Sequence, residues 1–82
     1  MKVNYEGMVE ILKQEISRRE KQYKLIAEDY PDKIQMYVTC GLHEVMGMMD
    51  IIESAYGFEH YEELNEIYEE FHNKMREEYG VA

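Results

Sequence analysis

Apolar residues recur along this chain in steps of four and three, in three successive runs. The first passes through Tyr5, Val9, Leu12, Ile16, Arg19, Tyr23, Ile26 and Tyr30. The second takes in Ile34, Val38, Gly41, Val45, Met48, Ile52 and Tyr56, and the third Tyr61, Leu64, Tyr68, Phe71 and Met75. Such steps keep side chains on one face of a helix, whereas a strand would need steps of two. The pattern predicts an all-α fold, a three-helix antiparallel bundle with helices over about 5–29, 32–56 and 59–79.

Local signals set the expected boundaries. Asn4 is placed to cap the first helix, and the Asp29-Tyr30-Pro31-Asp32 turn ends it, because the residue before a proline is pushed out of the helical region. Asp32 followed by Gln35 reads as a capping box for the second helix. Gly57 is expected to stop that helix in a left-handed conformation, and Gly80 to stop the third. Exposed support is expected from Glu15/Arg19 and Glu20/Lys24 at the i,i+4 spacing. Short connections make consecutive helices antiparallel neighbours. Turning at Pro31 then sets Tyr23 against Gly41 and Arg19 near Val45, and turning at Gly57 sets Leu64 by Ile52. A tyrosine facing a glycine is a large-against-small pairing that lets layers interdigitate.

At 82 residues the chain is a single domain near the lower end for independent folding. One cysteine makes no intrachain disulfide, no charged-then-apolar leader opens the sequence, and no run approaches the length of a membrane span. A cytoplasmic location is therefore expected. The formal net charge is −9, unevenly spread: residues 1–30 hold six acids and six bases, 31–57 four and one, and 58–82 eight and two. This balance disfavours nucleic-acid phosphates and anionic membranes, which both require Lys and Arg to replace counterions. The expected partner is a basic protein surface.

Two surfaces stand out as candidate sites. On the third helix Glu59, Glu62, Glu63, Glu66, Glu69 and Glu70 fall in one arc opposite the apolar run, either as a solvated face or as a binding face. On the second helix Met36, Cys40, Gly47 and Ile51 form a second apolar face, which fits either a homodimer interface or a centrally buried helix. Arg19 occupies a position where Val or Leu would be expected. A buried ion pair, stacking on Tyr68 or Phe71, and an outward reach over an apolar stem are all open to it, the last being the commonest outcome.

Catalytic and metal chemistry are not expected. Glu69 and His72 match the Glu-x-x-His spacing of di-iron bundles, but only once, and with Glu69 turned from the apolar face. Cys40 and His43 supply at most half of a zinc site. No nucleophile elbow, phosphate loop or Ser/His/Asp set is present, and no cofactor is implied. The sequence therefore points to a non-enzymatic interaction module whose acidic third helix meets a basic protein. Its size and charge are those of small phage or mobile-element inhibitors of nucleic-acid-handling enzymes, an analogy of bulk properties and not of motif. A homo-oligomeric structural protein using the second face of helix 2 is the alternative.

Overall fold

The computed structural model describes residues 4–81. Helix α1 spans Tyr5–Asp29, α2 Ile34–Tyr56 and α3 Tyr61–Tyr79, with a single 3₁₀ turn at Phe58–His60 leading into α3. Asn4 caps α1 as expected, its Oδ1 accepting from the Gly7 N–H at 2.8 Å. At the other end the Tyr30 N–H donates to the Ile26 carbonyl at 2.6 Å before Pro31 turns the chain.

Two expected boundaries differ. The capping box at Asp32 and Gln35 does not form: α2 begins at Ile34, behind Lys33, with no side-chain cap. Gln35 instead reaches across the bundle, its Nε2 donating to the Tyr79 carbonyl at 2.9 Å. A helix's last carbonyls lack partners within the helix, so Gln35 satisfies more there than it would at its own start. Gly57 does end α2, but at φ 100° and ψ 156°, which is not the left-handed helical region. That combination is open essentially to glycine alone and swings the chain straight into the 3₁₀ turn. Gly80 ends α3 in the left-handed conformation, at φ 69° and ψ 23°.

The core follows the three apolar runs. Phe71, Leu12, Leu64, Met75, Val38 and Val45 are fully buried. At roughly 1.5–3 kcal/mol for each large apolar side chain, these contacts carry the fold. The runs are corrected at their edges: Tyr30 and Tyr61 are exposed, Met48 is only half-buried, and Leu42 and Met49 are buried in its place. This widening of α2 toward α3 follows from its position, since a helix packed between two neighbours buries more than one stripe. Tyr23 lies directly over Gly41, so that a methyl group on Gly41 would overlap the tyrosine hydroxyl outright.

Helix α2 is the middle member, and α1 and α3 meet each other far less than either meets α2. They join through a Lys74–Glu20 ion pair at 3.1 Å and an edge-on Tyr23–Tyr79 contact at 6.4 Å. With extents of 40 × 27 × 15 Å, the molecule is a flattened three-helix bundle. Helix α3 lies against one side of the α1/α2 hairpin and leaves the other side open. Among the described residues no helix is long and apolar enough to cross a membrane.

Candidate interaction surfaces

The acidic arc of α3 is built by the same periodicity that builds the core. Leu64, Tyr68, Phe71 and Met75 are buried, and the other face places Glu62, Glu63, Glu66, Glu69 and Glu70 in solvent; Glu59, expected on the same helix, is exposed in the 3₁₀ turn before it. Glu62, Glu66 and Glu70 lie one turn apart, about 6 Å of helix axis each. Of the two cations on α3, Lys74 is drawn away to Glu20 of α1, and that carboxylate first of all raises its pKa. The expected Glu20–Lys24 pair is thereby replaced, because Glu20 points between α1 and α3. Burial, and after it the neighbouring Glu63 carboxylate, raises the pKa of Tyr5, whose ring stacks on His60 at 3.7 Å. His60 thus sits against aromatic rings at a boundary, as a packing residue.

On α2, Met36, Cys40, Gly47 and Ile51 are all exposed, and a methyl group on Gly47 would meet nothing within 4 Å. This second face is therefore surface and not core.

Of the three arrangements open to Arg19, the buried ion pair forms and not the commoner outward reach. Arg19 is 7% exposed, and its guanidinium donates to Glu15 at 2.8 Å and to Glu44 of α2 at 3.1 Å. Burial works to lower its pKa, but the two carboxylates outweigh it and leave the pKa raised. Arg18 adds a second bond to Glu15 at 2.8 Å, and Arg18 first, then Arg19, holds the Glu15 carboxyl below its ordinary value. These two arginines and two glutamates form a compact, neutral cluster bridging α1 and α2.

On either side of that cluster the open side of the α1/α2 hairpin carries a hollow, apolar at one end and mixed at the other. Below it a hollow of about 130 Å³ is lined by Met8, Ile11, Leu12, Met48, Ile51 and Ile52. Above it a hollow of about 150 Å³ runs between Gln22, Tyr23, Ile26, Tyr37 and Cys40. The sequence reading missed this surface, although a second four-three run on α1, through Met8, Ile11, Glu15, Arg18, Gln22 and Leu25, marks it. On the other side a cleft of about 290 Å³ between α1 and α3 is lined by Lys13, Ile16, Ile67 and Phe71, and the Lys74–Glu20 pair crosses it. Its charges answer each other and converge on no common point.

Glu53, which carried no sequence signal, is 7% exposed, and its Oε1 has no hydrogen-bond partner among the described residues. No group of three or more His, Cys, Asp or Glu among the described residues is arranged to hold a metal ion. Glu69 and His43 are exposed and stand apart from the core. No protein-family model, curated protein or solved structure matches this chain.

Proposed function

We propose that this protein is a non-enzymatic binding module that presents the acidic face of α3 to a basic protein surface, in the manner of a nucleic-acid strand. The observation that carries this is the exposure of Glu62, Glu63, Glu66, Glu69 and Glu70 along one side of a helix whose opposite side is committed to the core, with Glu59 exposed in the 3₁₀ turn just before it. Like charges at i,i+4 each cost a few tenths of a kcal/mol. A face serving solubility alone would interleave lysines, as α1 does with Lys13, Lys21 and Lys24. Here the acids stand at intervals of about 6 Å on a rigid rod, comparable to successive phosphates. A groove lined by Arg and Lys that accepts a phosphate backbone would accept this face, and the bound module would block it.

The test is affinity capture with wild type and with Glu62, Glu66 and Glu70 all changed to Lys. All three side chains are exposed and Lys is a good helix former, so helicity should be retained. Wild type is expected to retain a basic partner that salt releases, since the screening length falls from about 10 Å at 0.1 M to about 3 Å at 1 M. The triple variant is expected to retain none of it. Equal capture by both proteins at low salt would refute the acidic-face mechanism.

A further inference from the structure

On the open side of the α1/α2 hairpin, exposed residues repeat every seven positions on both helices. Ile11, Arg18 and Leu25 lie on α1, and Tyr37, Glu44 and Ile51 on α2. Because the helices run antiparallel, these residues form three layers: Ile11 with Ile51, Arg18 with Glu44, and Leu25 with Tyr37. The four apolar members are exposed by 45% (Ile11), 65% (Ile51), 64% (Leu25) and 43% (Tyr37). A seven-residue spacing that leaves apolar side chains above and below a charged layer in solvent matches the spacing of a helix-pairing seam.

We infer that this seam pairs with a second copy of the chain, completing an antiparallel four-helix bundle from two α1/α2 hairpins. Charge selects the occupant. The surface carries two arginines and two glutamates that balance on a chain whose net charge is −9, so two copies meet there without adding like charge to like. A basic partner would instead be drawn to α3, which packs on the other flank of α2.

Charge also selects the symmetry. A two-fold axis across the helices would set Arg18 on the second copy's Arg18, and Glu44 on Glu44. A two-fold axis along the helices sets α1 of each copy against α2 of the other. Arg18 then faces Glu44 twice over, and Ile51 meets Ile11 in the layer below. Both charged side chains have capacity for this: among the described residues Arg18, which is exposed, bonds Glu15 alone, and Glu44 receives Arg19 on Oε2 alone. Such a contact is self-complementary, as a closed two-fold dimer requires. It includes Cys40 and Ile51 of α2's second apolar face, while Met36 and Gly47 lie further round that helix. It is independent of the α3 proposal, since no residue of the acidic arc takes part.

Sedimentation velocity over the micromolar to high-micromolar range tests this on wild type, Ile51→Glu, Arg18→Glu, Glu44→Arg and an equimolar mixture of the last two. Wild type should sediment at twice the 9.9 kDa chain mass. Each single variant should be a folded monomer, its dimer dissociation constant raised at least about a hundredfold by like charges or a buried carboxylate. The mixture should return to the dimer, because Glu at position 18 of one copy then meets Arg at position 44 of the other. A wild type that stays monomeric, or a dimer that survives Ile51→Glu, overturns the inference. Two folded charge variants that do not reassociate on mixing overturn the axis along the helices. If Glu44→Arg loses its helicity, Ile51→Glu and Arg18→Glu still decide the face, because both alter exposed side chains only.

Discussion

Phe71→Ala should remove about 3–5 kcal/mol of stability, the usual cost of emptying a buried aromatic site. The phenyl ring is 2% exposed, deep in the α3 face that meets the rest of the core. A chain of this length has roughly 4–12 kcal/mol in total, at about 0.05–0.15 kcal/mol per residue. The variant should therefore lose at least a quarter of its stability, and at the lower end of that range it should sit close to its unfolding midpoint in buffer. Urea unfolding followed by circular dichroism measures it, at one fixed chain concentration so that self-association does not confound the comparison. Glu66→Ala is the control: it lies on the same helix in solvent and should change stability by less than about 0.5 kcal/mol. A loss below 1 kcal/mol for Phe71→Ala would mean that α3 is not docked as described.

Gly47→Ala should stabilise the protein and Gly41→Ala should not, although both lie inside α2. Alanine is favoured over glycine in a helix interior by about 1 kcal/mol. At Gly47 the added methyl meets nothing within 4 Å, so the full gain should appear. At Gly41 it would collide with the Tyr23 hydroxyl, and the ring carbon bearing it would lie only 2.9 Å away. Tyr23 is buried and packs edge-on against Tyr79, so moving its ring disturbs that contact. Overpacking of this kind costs about 1–3 kcal/mol, which cancels or exceeds the propensity gain. The two variants should therefore differ by about 1–3 kcal/mol, or several degrees in melting temperature for a domain this small. Adding Tyr23→Phe to Gly41→Ala should recover part of the loss, because the worst overlap is with the hydroxyl. Equal stabilisation by both alanines would show that Tyr23 does not rest on Gly41.

The Tyr23–Gly41 layer was legible because it needs only helical period and turn position, and both are written locally in the chain. The same holds for the burial of Val38, Leu64 and Phe71 and for the exposure of the α3 acids. Arg19 was not legible. Its fate depends on Glu44, 25 residues away, and nothing in the sequence states that a carboxylate from α2 arrives over that exact turn. Gln35 failed for a related reason: a local cap competed with an orphan carbonyl at the end of α3, and the distant group won. Glu53 is buried because α2 is flanked on two sides, and a polar residue at the margin of a widened apolar stripe gives no warning of that. The α1/α2 seam lay in the sequence as a second repeat. It was masked by the stronger run of apolar residues beside it.

The arrangement of α2 between its two chain neighbours also bears on how fast the protein reaches its fold. Each large helix contact joins consecutive elements through a turn of a few residues, while α1 and α3, the most distant pair in sequence, share the smallest contact. The entropy of closing long loops is therefore met only for that last, minor contact. Helical proteins with such local topology fold in microseconds to milliseconds. Either hairpin can form first and template the remaining helix, so the chain spends little time with its apolar runs exposed together.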